Sequence, residues 1–309
     1  MPFSDFLGSI QPLKKKYPGN SITVVMTGGE PLLRKDIFSC GKTLREHGFR
    51  WGMVTNGYHY TEEIHGQLHA SGIGAVTLSM DGMKEHHNWL RNNSLSFDRA
   101  VAAMELLVSS KRICFDVVTC VNTRNLSELP ELMDFLIKKG VKTWRLFTIA
   151  PIGRAKTNIE LTLGPEELIF LMDFIKNARR QSSIEVKFSC EAFVGGYEMK
   201  IRDSFFFCRA GINIASVLAD GSISACPNVN RSFAQGNIYS DDLLEVWENG
   251  FEIMRNRDWT KTGLCSHCSD FKDCQGGALH LWDQKRECVL VCLNHEIGKT
   301  QMRSNAESC

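Results

Sequence analysis

Residues 21–32 read SITVVMTGGEPL. Ser21 to Met26 is a short apolar run with β-branched residues, bounded by Gly28-Gly29, and reads as a buried strand. Two glycines directly after a strand let a backbone approach a ligand closely, and Glu30 adds an acceptor for a cationic amine. A tight strand-to-helix turn also uses glycines, so the meaning of this turn depends on what surrounds it.

Outward from it, helix and strand alternate. Ser4 to Lys16 reads as a helix, Asp36 to His47 as another stopped by Gly48, and Trp51 to Val54 as a strand closed by Asn56-Gly57. Helix Thr61 to Ala70, strand Ala75 to Met80, helix Phe97 to Ser109 and strand Ile113 to Val121 follow. Helix Leu126 to Lys139, strand Val141 to Ile149, helix Pro165 to Arg179 and strand Ile184 to Phe188 complete the series. Such βα repetition predicts a parallel sheet with helical crossovers, whose ligand sites lie at the carboxyl ends of the strands. Near residue 200 the pattern breaks into short strands (Ala215 to Leu218, Ser222 to Ser224), a helix over Asp241 to Arg255, and cysteine-rich loops.

Composition excludes several classes. In 309 residues, 23% are charged and the net charge is only +1. No basic field exists to recruit nucleic acid or an anionic membrane, so peptide or small-molecule partners are expected. No apolar run reaches membrane-spanning length, and the N-terminal stretch is not a signal peptide. Of twelve cysteines, seven crowd between Cys208 and Cys292. Without an export signal, a reducing cytoplasmic setting favours metal thiolates over disulfides, so the C-terminal third reads as a metal-binding module.

Further motifs sit at strand ends. Ser79-Met80-Asp81-Gly82 closes one strand, and Asp81 reads equally as a turn cap. His86-His87-Asn88 precedes Arg91, whose guanidinium suits a carboxylate; the histidines read as surface or supporting groups. Asn122 ends the strand DVVTCVN, and Pro151, Gly153, Arg154 and Ala155 follow the next. Cys265-x2-Cys268-x5-Cys274 places three thiolates within one short stretch, a spacing that grips one metal or cluster. Upstream, Cys208-x12-Gly221-x4-Cys226 puts a glycine hairpin between two thiols. Cys114 and Cys120, evenly spaced in one strand, read as packing, and Cys40 and Cys309 as non-ligands.

Together these stretches resemble the radical S-adenosylmethionine (SAM) family with a C-terminal SPASM iron–sulfur domain. TGGEP resembles the segment that binds SAM's amino group, Thr77 to Gly82 the segment beside SAM, and His86-His87-Asn88 with Arg91 the "H-D-x-x-R" stretch. The resemblance implies a partial (β/α)6 barrel over residues 1–195 and a small Cys-rich α+β domain over 196–309. It implies SAM contacts by Gly28, Gly29, Glu30, Ser79, Arg91 and Asn122. The second auxiliary [4Fe–4S] cluster would take Cys265, Cys268, Cys274 and a late cysteine, Cys292 with Cys288 as the alternative. Cys208 and Cys226 would serve a first cluster, where Ala278 stands in place of one usual cysteine and Cys190 is a candidate replacement. The implied chemistry is reductive SAM cleavage to a 5′-deoxyadenosyl radical acting on a peptide or small molecule, with an external electron donor.

One departure is large. The family's CxxxCxxC, which holds the SAM-cleaving cluster, should precede TGGEP, yet none of the 26 residues before Thr27 is cysteine. The expectation is therefore a barrel lacking its first strand, either because the sequence is N-terminally truncated or because it is a degenerate paralogue that binds an auxiliary cluster. Cys288-x3-Cys292-x2-His295 mimics the spacing, but at the wrong end of the chain. A zinc module on an unrelated α/β enzyme is the third reading, separable by iron–sulfur absorption.

Overall fold

The computed structural model describes residues 1–181, 183–189 and 192–306. Six strands, β1 (Thr23–Met26), β2 (Arg50–Thr55), β3 (Ala75–Ser79), β4 (Cys114–Val121), β5 (Thr143–Thr148) and β6 (Glu185–Phe188), pair in sequence order, all parallel. Helices make the crossovers: α2 (Ile37–Glu46), α3 (Glu62–Ala70), α4 (Lys84–Arg91) with α5 (Ser96–Ser109), α6 (Leu129–Lys138) and α7 (Pro165–Gln181). Ahead of β1 lies α1 (Phe3–Ile10), followed by a 3₁₀ stretch over Gln11–Lys15 where one longer helix was expected.

Side chains alternate across the sheet because successive residues of a strand point to opposite faces. Val76, Leu78, Val117, Val121, Trp144 and Leu146 are buried, and pack with the core side chains of the helices. Even the polar atoms on this side are matched: Trp144 Nε1 donates to Thr119 Oγ1 (2.8 Å), which donates to the Met80 carbonyl (2.5 Å). Thr77, Asp116, Arg145 and Lys187 alternate to the opposite face and keep access to solvent. Arg145 there pairs with Asp116, which also accepts from Thr77 Oγ1 (2.8 Å). Cys114 and Cys120 do share one face, but it is this open one: Cys114 is exposed and Cys120 half-buried. The expectation that they pack in the core is corrected accordingly. Their even spacing fixed the side shared, not which side the helices cover.

Beyond β6 the chain forms small elements: β7 (Ser216–Val217), β8 (Ser222–Ser224) and β9 (Gly236–Asn237) in one antiparallel sheet, then β10 (Trp282–Asp283) paired with β11 (Cys288–Val289). The expected helix over 241–255 is broken: Leu243–Glu245 is α-helical, Val246–Gly250 a π turn, and Glu252–Arg255 a separate turn. A final helix, Leu293–Ala306, packs against α7. Tyr17 OH donates to Glu248 Oε1 (2.5 Å), Trp247 Nε1 donates to Tyr17 OH (3.1 Å), and Lys16 pairs with Glu248, tying the N-terminal segment to the C-terminal elements.

A candidate SAM site and a thiolate cluster

The strand ends decide what the GGE turn can do. Gly28 has φ of +133°, a region closed to side-chain-bearing residues. A Cβ on either Gly28 or Gly29 would meet nothing within 4 Å, so the turn faces open space. Glu30 turns back toward the sheet. Its carboxylate accepts from Thr55 Oγ1 (2.7 Å), from the Asn56 N–H (2.8 Å) and from the Leu32 N–H (3.1 Å). These bonds fix an anionic group between the ends of β1 and β2.

At the ends of β3 and β4, Asp81 is fully buried. It accepts from Arg91 Nε (2.6 Å) on one oxygen and the Cys120 N–H (3.0 Å) on the other. The side chain is thus one half of a buried ion pair that bridges α4 and β4, which goes beyond a turn cap. Burial works to lower the Arg91 pKa, but Asp81, with contributions from Cys120 and Glu30, holds it above its ordinary value. Arg91 therefore lies within electrostatic reach of Glu30. Ser79, almost buried at the last position of β3, makes no side-chain hydrogen bond among the described residues.

His87 supports this arrangement from beneath. It is fully buried; its Nδ1 accepts from the Asp81 N–H (3.0 Å), so Nε2 carries the proton and faces Ser96 Oγ (3.0 Å). Burial pushes its pKa down to about 4. The expectation of a supporting role fits His87, whereas a surface position does not. His86 is half-buried, with Nδ1 2.9 Å from Glu128 Oε1 but without an aligned hydrogen bond. Asn122 is committed to its own loop: Oδ1 accepts from the Arg124 N–H (3.0 Å), and Nδ2 donates to the Cys120 carbonyl (3.3 Å). Asn125 Nδ2 reaches the Asp81 carbonyl (2.6 Å), a link that no motif signalled.

The second constellation is sulfur. Burial pushes the Cys265 thiol up to about 11, and the neighbouring Cys274, Cys292 and Cys268 add to the effect. Burial also raises Cys274 and Cys292, each of which feels Cys268. Four thiols thus gather from a loop, a helical turn and the start of the final helix. The Gly276 N–H lies against the Cys274 sulfur and those of Asn294 and His295 against the Cys292 sulfur, while the Gly277 N–H donates to the Cys274 carbonyl (2.8 Å). Donors aimed at sulfur favour the thiolate, as an iron–sulfur cluster requires. Among the described residues, no three His, Cys, Asp or Glu side chains converge tightly enough for a single metal ion.

Cys288 lies on β11 opposite Asp283. Cys208 is buried and Cys226 half-buried. Ala278, where a further cysteine was looked for, is a packed core residue. Cys190 and Cys309 lie outside the described residues.

Comparison with known proteins fits both constellations. A family model of the radical SAM superfamily matches residues 10–136, and one of the SPASM iron–sulfur cluster-binding domain matches residues 208–269. The chain thus carries a radical SAM domain and a SPASM domain; the cofactors these domains imply are [4Fe–4S] clusters and SAM. Among its relatives is an AdoMet-dependent heme synthase of Methanosarcina barkeri, 27% identical over 271 residues, covering 82% of this chain and 76% of the relative. Mycofactocin maturase MftC of Mycobacterium tuberculosis is 26% identical over 256 residues, covering 82% of this chain and 64% of the relative. In fold, the chain matches anSMEcpe with bound AdoMet at a TM-score of 0.70, with 20% identity, covering 97% of this chain and 86% of that one. Streptococcus suis SuiB bound to S-adenosylmethionine matches at 0.66, with 18% identity, covering 89% and 65%. No helix among the described residues is long and apolar enough to cross a membrane.

Proposed function

We propose that this chain binds SAM at the carboxyl ends of β1 to β4 and serves its reductive cleavage for the modification of a peptide or small molecule. What supports this reading is that two fixed charges, Glu30 and Arg91, stand at the ends of neighbouring parallel strands. Glu30 offers an anion and Arg91 a cation, complementary to the ammonium and carboxylate of SAM's methionine moiety. Gly28 and Gly29 keep the approach clear, Ser79 supplies a free hydroxyl, and Asn122 shapes the adjoining loop. Bound SAM and its cluster would supply the radical chemistry; the protein's part is to orient SAM and exclude water.

Cys265, Cys268, Cys274 and Cys292 would hold an auxiliary [4Fe–4S] cluster, with Cys208 and Cys226 offering ligands to a second. On this reading residues 1–195 are the SAM core and 196–309 the cluster domain. The substrate class follows the relatives, which include a maturase and a heme synthase. Reduction draws on an external electron donor, and a cytoplasmic oxidoreductase matches the cysteine usage.

A second reading rests on the cysteine cluster alone, which gathers without any contribution from the GGE turn. On it, the chain holds an auxiliary cluster and a partner without cleaving SAM. Equilibrium dialysis of anaerobically prepared, iron-loaded protein against labelled SAM separates the two. Saturable binding that falls about tenfold in Glu30→Gln, a loss of about 1.4 kcal/mol, supports the first. Absence of binding, or equal affinity in the variant, leaves the second.

A further inference from the structure

Arg257 is 4% exposed, yet no carboxylate pairs with it among the described residues. Its guanidinium donates only to carbonyls: Nε to Met254 (2.9 Å), Nη1 to Gly277 (3.1 Å) and Nη2 to Cys208 (2.9 Å). Its one other neighbour of note is the Phe207 ring, 5.9 Å away. Cations that are only partly buried are handled differently: Arg91 pairs with the buried Asp81 and Arg202 with the buried Glu198. Hydrogen bonds to carbonyls satisfy donors but leave the charge uncompensated, and an uncompensated buried charge is strongly unfavourable.

The three carbonyls show where compensation comes from. Gly277 offers its carbonyl to Arg257 and its N–H to the Cys274 carbonyl (2.8 Å). Cys208 offers its carbonyl while its own thiol is a candidate ligand. Arg257 is therefore bonded directly to the backbone of Cys208 and, through Gly277, to the backbone of Cys274, one from each half of the cysteine-rich region. Four thiolates around a [4Fe–4S] core carry net negative charge in either of its usual oxidation states, and reduction adds one more.

We propose that Arg257 is the built-in counter-ion of the iron–sulfur site in the C-terminal domain, a positioning residue that raises the site's reduction potential. This rests on the cluster reading given above. That reading fails by itself if anaerobically reconstituted parent protein shows neither iron nor iron–sulfur absorption.

The test is a spectroelectrochemical titration of the reconstituted full chain and of Arg257→Gln and Arg257→Lys, with iron and sulfide assayed in each. Gln removes the charge and Lys keeps it, while both lose the three-carbonyl fork. The expected result is a full iron complement in the Lys variant with a midpoint near the parent's. In the Gln variant the reduction equilibrium should fall about tenfold, about 59 mV for one electron. Equal midpoints in all three proteins, equal shifts in the two variants, or loss of iron from the Lys variant would each show that Arg257 only ties loops together, and would overturn the proposal.

Discussion

His87 is a buried base that must stay neutral to do its work. Its Nδ1 holds the Asp81 peptide only while unprotonated, and burial lowers its pKa from 6.5 to about 4. Between those values the unfolded chain binds a proton that the folded chain refuses. Stability from this group is therefore complete above pH 6.5 and is lost as pH falls toward 4, with no further change below. At 1.36 kcal/mol per pKa unit the loss is about 3 kcal/mol, as an order of magnitude. Urea unfolding at intervals from pH 7.5 to 4 should show this slope. His87→Asn keeps an acceptor near Nδ1 but cannot titrate in this range, and should flatten it. An unchanged slope in the variant would assign the pH dependence elsewhere.

The elements show why some parts of this chain were legible and others were not. The parallel strands announce themselves as short runs of apolar residues between turn residues, but β1 is not the buried strand expected: Val25 is 52% exposed. Helix α4 gave no such signal. Its sequence, KEHHNWLR, buries His87 and directs Arg91 to the buried Asp81, so its inward contacts are polar and hydrophobic periodicity is blind to them. The 241–255 stretch looked like one helix because a π turn interrupts the bonding without interrupting the apolar spacing. Cysteine spacing marked Cys265, Cys268 and Cys274 but left Cys292 and Cys288 open; of the two, Cys292 is the one whose thiol interacts with Cys265 and Cys274. Gly276 carries a prediction at this scale. Its φ is +77°, and a Cβ there would lie 2.4 Å from Thr260 Oγ1, itself buried and bonded to the Arg257 carbonyl (2.6 Å). Thr260 has no room to retreat, so Gly276→Ala should cost about 1–3 kcal/mol and misdirect the N–H aimed at Cys274. Denaturant midpoint and iron content of the loaded protein should both fall. A variant with unchanged iron and midpoint would mean the loop adjusts freely.

At the scale of the whole molecule, the sheet and the cysteine-rich elements are joined by buried chemistry as well as by surface contact. Glu198 is 1% exposed and sits between them. One oxygen accepts from the Val194 N–H (2.8 Å) and pairs with Arg202; the other accepts from the Phe206 N–H (2.7 Å). Arg202 in turn donates to the Ser189 (3.2 Å) and Ala192 (2.9 Å) carbonyls beyond β6, so one ion pair ties the sheet's edge to the segment leading into Cys208. On the far side, Tyr17, Lys16, Trp247 and Glu248 form a second seam between the same parts. A single apolar core runs through both. Parts so joined should unfold together, and calorimetry of the iron-loaded protein should give one transition whose van't Hoff and calorimetric enthalpies agree. Glu198→Gln preserves volume but leaves Arg202 facing a neutral partner. Breaking a buried pair from one side costs about 3–5 kcal/mol, so the variant's transition should move down and broaden or split. Two resolved transitions in the parent protein would instead mean that each part folds on its own, and that Glu198 fixes their orientation without coupling their stability.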